Sequence, residues 1–234
     1  MTDQLIRDIR QKQTVLDQIC TAWSSEYHQR GGTIYCGKGC SGCCSLVVNC
    51  TLPEAILIAS NLSPHQIEKL QSLVAPLKSM ADQAENLKEW LSSYRQQATT
   101  CPFLDQTGAC GIYPVRPLSC RSLLATKEPL WCATDFTALS SQEKQNFMES
   151  LDQSAVAFPT HYAATPQEIG RELEEAALRQ METVYGFALI GSLPWLAWLE
   201  LEHAISSRLP DGRQAVQDYL ENQGLLNQFL VVIT

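Results

Sequence analysis

The chain has 234 residues, of which 45% are hydrophobic and 18% charged, with a formal net charge of −8. That length buries a hydrophobic core without cysteine staples, and the apolar share excludes a disordered chain. The acidic balance and the absence of a Lys/Arg cluster exclude a non-specific nucleic-acid binder, which needs a basic surface.

Met1-Thr2-Asp3-Gln4 turns polar at once and lacks the basic and apolar stretches of a secretory signal. This predicts a cytoplasmic location, where thiols stay free or bind metal instead of pairing as disulfides. Leu5, Ile6, Ile9, Leu16, Ile19 and Trp23 recur at helical spacing and predict an amphipathic helix over 3–30, ended by Gly31-Gly32. Thr51-Leu52-Pro53-Glu54 opens an apolar helix, with Pro where a helix start tolerates it. Ser63-Pro64-His65-Gln66 is a capping box for a helix to about Met80, with a break or kink at Pro76, and residues 81–97 read as another helix. Stacked as a hairpin, these helices would bring Cys44 and Cys101 together. Residues 101–132 read as loop, with a turn at Asp105-Gln106-Thr107-Gly108 and short strand pairs flanking it.

Further capping boxes at Ser140-Ser141-Gln142-Glu143 and Thr165-Pro166-Gln167-Glu168 predict helices over 141–154 and 166–184. Thr183 to Leu199 carries no charge but is shorter than the ~20 residues of a membrane span. Gly186, Gly191 and Pro194 interrupt it and Glu182 and Glu200 flank it, so a buried helix pair is expected and no transmembrane span. Asp211-Gly212 begins a last helix, and Phe229 to Ile233 reads as a terminal strand or helix end. The expected fold is mostly α: a helical domain with an irregular, loop-rich, cysteine-ligated metal centre. Residues 1–135 are expected to form the cysteine-cluster domain with its N-terminal helix, and 136–234 a helical region packed on it.

The chemistry sits in two cysteine blocks. The first is Cys36-Gly37-Lys38-Gly39-Cys40-Ser41-Gly42-Cys43-Cys44, and the second holds Cys101, Cys110 and Cys120. Thiolates are soft anionic ligands suited to zinc and to iron–sulfur clusters. Gly37, Gly39 and Gly42 let the backbone curl around a metal. Side chains of the adjacent pair Cys43-Cys44 diverge, so the pair serves two metals, or two irons of one cluster, better than one ion. A strained vicinal disulfide is the alternative. Cys36-x3-Cys40-x2-Cys43 also spells the motif of radical S-adenosylmethionine enzymes. Against that reading, Gly42 stands where those enzymes carry an aromatic residue. No alternating strand–helix pattern follows, and Cys44 and the second block would have no role.

The whole pattern, C-x3-C-x2-C-C followed by C-P-F-L-x5-C-x-I-Y-x2-R-P-x2-C-R, closely resembles the YkgJ-type cysteine-cluster family of zinc- or iron-chelating domains. Flagellin lysine N-methylases of the iron–sulfur type are similar to that family. The resemblance covers about residues 36–132 and carries Pro102, Phe103, Ile112, Tyr113, Arg116, Pro117 and Arg121 in register. It implies eight ligands: Cys36, Cys40, Cys43, Cys44, Cys101, Cys110, Cys120 and, after Trp131, Cys132. Eight thiolates permit two four-cysteine sites or one polynuclear site. The Cys-Cys doublet and the ligand excess favour an iron–sulfur cluster, with zinc as the alternative.

Cys20 and Cys50 fall outside the pattern and are expected in the core. Arg116, Arg121 and Lys38 are placed to offset the charge of a thiolate centre. Tyr113 is expected as a packed aromatic, and Phe103 and Ile112 as shields against water. His28, His65, His161 and His203 have no ligand spacing and are expected on the surface or in caps. Glu168, Glu172, Glu174 and Glu175 read as a solvated helix face. The leading expectation is an iron–sulfur or zinc protein acting in redox, metal handling or assembly of a protein partner. The alternatives are a protein-modifying enzyme of the lysine N-methylase kind and a structural zinc module that docks a partner on the face around Trp195 and Trp198. Whether the chain is an enzyme stays open, since no catalytic motif or cofactor pocket is legible.

Overall fold

The computed structural model describes residues 1–37, 39–97 and 101–234. The chain is mostly helical, with ten α-helices and three short strands among the described residues. Helix α1, Thr2–Gln29, buries Leu5, Ile9, Gln13, Leu16 and Cys20 along one stripe, as its apolar spacing predicts. The buried Gln13 has a partner: its Nε2 donates to the Arg116 carbonyl at 3.1 Å. The long first helix therefore holds the backbone of the second cysteine block.

Helix α2, Leu52–Ala59, is buried throughout. Its start is tied by Glu54, which accepts from the Thr51 N–H and hydroxyl, both at 2.8 Å. The other Glu54 oxygen accepts from the Leu118 N–H at 2.7 Å. That bond joins α2 to the short helix α5, Leu118–Ser122, which carries Cys120. Helix α3, Pro64–Gln83, starts at its Ser63/Gln66 capping box and continues through Pro76 to Gln83. The expected break is absent because Pro76 lies on the exposed side, while Leu70, Val74, Leu77 and Met80 hold the other face in the core. Residues 81–83 thus belong to α3, and the next helix, α4, spans Leu87–Gln97.

Helices α6, Pro129–Ala133, and α7, Ser141–Glu149, follow. Helix α8, Ala164–Tyr185, begins ahead of the predicted Thr165 cap, with Ala163 at its N-cap. Isolated bridges pair Val156 with Ala163 and Ala125 with Tyr162, so the chain enters α8 from extended pairing that displaces the side-chain cap. Helix α8 packs on α1 and α5.

The uncharged stretch 183–199 is not a helix pair. Gly186, at φ +81, ends α8, strand β2 takes Leu189–Ser192, and α9 runs Leu193–His203. Strand β2 is the centre of an antiparallel sheet between β1, Asn49–Thr51, and β3, Val231–Ile233. A Cβ at Gly191 would stand 2.1 Å from the Leu230 carbonyl oxygen, so only glycine admits β3's approach there. Helix α10, Arg213–Asn222, completes the set after Gly212. The main core draws on residues from Leu5 to Val231 and includes Trp90, Phe103, Phe187 and Trp195. Among the described residues, no helix is long and apolar enough to cross a membrane. Trp195 is fully buried, so the face proposed for docking around Trp195 and Trp198 loses its centre to the core.

Candidate metal centre

The two cysteine blocks meet through the backbone: the Cys101 N–H donates to the Cys44 carbonyl at 3.0 Å. The α3–α4 excursion between them therefore returns the chain to its starting point. The first block turns at Gly39, φ +86, and enters a 3-10 turn over Gly42–Ser45 that packs on α6. Gly42 permits this packing. A Cβ there would stand 2.6 Å from the Pro129 carbonyl and 3.0 Å from the Cys132 Cβ. The first block is thereby pressed against Cys132, and Cys36, Cys43 and Cys132 share one small apolar cluster with Tyr162.

The second block closes around the turn Asp105–Ala109. The Asp105 N–H donates to the Ala109 carbonyl at 2.9 Å, and an antiparallel bridge joins Leu104 to Cys110. The flanking strand pair is thus a single bridge. Cys101 and Cys110 pack against the main core, where Phe103 and Ile112 are buried.

The sulfurs also meet backbone donors. The Ala125 N–H reaches the Cys36 sulfur at 3.1 Å, and the N–H groups of Phe103 and Ile112 favour the thiolates of Cys101 and Cys110. Donors aimed at sulfur suit thiolate ligands.

Burial dominates the titration of these thiols. It pushes Cys101 up to about 12 and Cys132 up to about 11, and raises Cys36, Cys110 and Cys120. Cys43 is raised first by its hydrogen bond with the adjacent Cys44 thiol and then by burial. The thiolates also repel one another in two overlapping groups. Cys132 feels Cys43, Cys36 and Cys40, whereas Cys120 feels Cys101, Cys43 and Cys110. Cys43 belongs to both. A bound cation would displace these protons and relieve the repulsion.

Arg116 supplies an independent observation. Its guanidinium favours the thiolates of Cys36, Cys43, Cys110 and Cys120. Its Nε is buried with no hydrogen-bond partner, and it makes no ion pair among the described residues. A cation held among thiols without a counter-anion fits a centre that is negative once loaded. All ten cysteines are free thiols, so neither structural disulfides nor a vicinal bridge competes for them. The donor set therefore fits zinc or iron on chemistry and on charge. Among the described residues, no three Cys, His, Asp or Glu side chains already stand at ligand spacing. Side chains are instead turned to other partners, Cys36 to the Leu123 carbonyl at 3.5 Å and Cys132 to His161 Nε2 at 3.2 Å.

Several residues depart from expectation. His161 is not at the surface: it is buried, and burial lowers its pKa, leaving a neutral imidazole against Cys132. Sequence gave no signal for it, because it follows Cys132 by 29 residues and has no histidine at ligand spacing. Tyr113 is exposed instead of packed, with the Arg116 guanidinium 4.1 Å above its ring. Arg121 is buried and spent on structure. It pairs with Asp17 and donates to the carbonyls of Arg116 and Pro114 at 2.8 and 2.7 Å. Lys38 lies outside the described residues. Cys20 and Cys50 are buried, as expected of core residues. Glu174 is not solvated like the rest of its run. One carboxylate oxygen is buried without a partner among the described residues, and burial followed by the charge of Glu54 pushes its pKa up to about 8.

Residues 35–149 match the family model CxxCxxCC, described as "Putative zinc- or iron-chelating domain". This stretch, slightly less than half of the chain, is similar to that cysteine-cluster family. It contains nine cysteines, the eight candidate ligands and the core residue Cys50, and ends with α7, leaving His161 and Tyr162 outside it. No curated protein and no solved structure matches the chain.

Proposed function

We propose that Cys36, Cys40, Cys43, Cys44, Cys101, Cys110, Cys120 and Cys132 hold iron as an iron–sulfur centre in a cytoplasmic protein of redox, metal handling or protein assembly. The metal-binding class follows from the chelating domain. The choice of iron rests on ligand number and on the Cys43-Cys44 doublet. Cys43 lies in electrostatic reach of both thiol groups, which supports one polynuclear centre over two separate closed zinc sites. The observation that carries the reading is the unpaired Arg116 cation among these thiols. His161 is a nitrogen donor available beside Cys132.

Anaerobic purification with metal analysis and Mössbauer spectroscopy tests this. Iron with sulfide, and visible absorption lost in Cys43→Ser and Cys110→Ser but kept in Cys20→Ser, is the expected result. Colourless protein carrying stoichiometric zinc would replace the iron centre with structural zinc sites.

A further inference from the structure

A cavity of about 440 Å³ opens beside α6 and α7, and metal chelation makes no use of most of its wall. Trp131, Phe136 and Phe147 form an aromatic trio, with Phe147 centred 4.6 Å from Trp131 and 4.8 Å from Phe136. Met148 extends this apolar wall. The volume is that of a small-molecule site.

Two cations, Arg95 and Lys144, line the same cavity, and among the described residues no lining residue is acidic. Arg95 donates to the Thr134 carbonyl at 3.0 Å and has Asp135 at 3.8 Å. The Asp135 carboxylate is itself engaged by the Thr137 N–H at 2.9 Å and hydroxyl at 2.7 Å. Lys144 makes no ion pair among the described residues. Aromatic rings alone would also suit a quaternary ammonium group, but two cations in the wall oppose a cationic guest.

We propose that this cavity binds a small organic carboxylate with an aromatic or branched apolar body. The carboxylate faces Lys144 and Arg95, and the body lies against the rings of Trp131, Phe136 and Phe147. The inference does not depend on which metal the cysteines hold.

Calorimetric titration of the full, metal-loaded chain with 4-phenylbutyrate, its methyl ester and a phenylbutyl-trimethylammonium salt tests it. The carboxylate should bind saturably and about tenfold or more tighter than the ester, as a charge-assisted contact provides, and the ammonium salt should not bind. Lys144→Gln should weaken the carboxylate about tenfold and leave the ester unchanged. Thr160→Trp, a substitution at an exposed position of the cavity wall, should abolish binding of both. Equal affinity for carboxylate and ester, preference for the ammonium salt, absence of saturable carboxylate binding, or an unchanged Lys144→Gln variant would each overturn the proposal.

Discussion

Arg116 shows how a single side chain can report the character of a centre. Its Nε is buried without a partner among the described residues, while its charge favours four of the eight candidate ligand thiolates. Arg116→Ala should therefore weaken metal retention about tenfold or more in a chelator competition assay, with Arg116→Lys restoring part of the loss. Glu174 makes the opposite case, a carboxyl that folding keeps protonated. Its pKa rises from 4.5 to about 8 through burial. The folded chain thus holds a proton that the unfolded chain has released, and wild-type stability falls as pH rises between those values. Glu174→Gln has no such penalty. Its thermal midpoint should exceed wild type's at about pH 9 and match it at about pH 4. Seven of the cysteines stood out by their spacing in two blocks, whereas Cys132 was singled out only through the family resemblance. His161 was not legible, since its place beside Cys132 depends on the 159–162 segment folding back, with the His161 carbonyl accepting from the Thr126 N–H at 2.9 Å.

Among the elements, two capping boxes read cleanly: Ser63/Gln66 and Ser140/Glu143 each start a helix where local chemistry says one starts, whereas the Thr165 box does not, because α8 begins at Ala164 with Ala163 at its N-cap. Strand β2 did not read so, because its partners are β1 and β3, far away in the chain. An apolar stretch with glycines becomes a strand only when neighbours offer it hydrogen bonds. Glu54 links two elements at once, accepting from Thr51 in front of α2 and from Leu118 at the head of α5. Glu54→Ala would leave these buried donors unpaired. We expect a loss of about 3 kcal/mol in urea denaturation, together with reduced metal content, because α5 carries Cys120.

For the molecule as a whole, the mostly helical class followed from periodicity and caps, and the chelating class from the cysteines. The main core, from Leu5 to Val231, is built chiefly of aliphatic and aromatic side chains, with Cys101 and Cys110 only at its edge. We therefore expect folding not to depend on metal, unlike that of a small zinc finger. Chelation should leave the far-ultraviolet helical signal in place and lower the thermal midpoint by about 10 °C, the linkage effect of a ligand at roughly a thousandfold excess over its Kd. Collapse of the helical signal on chelation would contradict this.

The sheet also orders events during synthesis. Strand β1 leaves the first thiol block, yet its neighbour β2 begins only at Leu189, and β2's other neighbour, β3, follows only at Val231. A ribosome therefore exposes all eight thiols well before the last strand that seats β1 has emerged. Long-range pairing of this kind is slow to form. In that interval the nascent chain has its sulfurs open to oxidants and to metal ions.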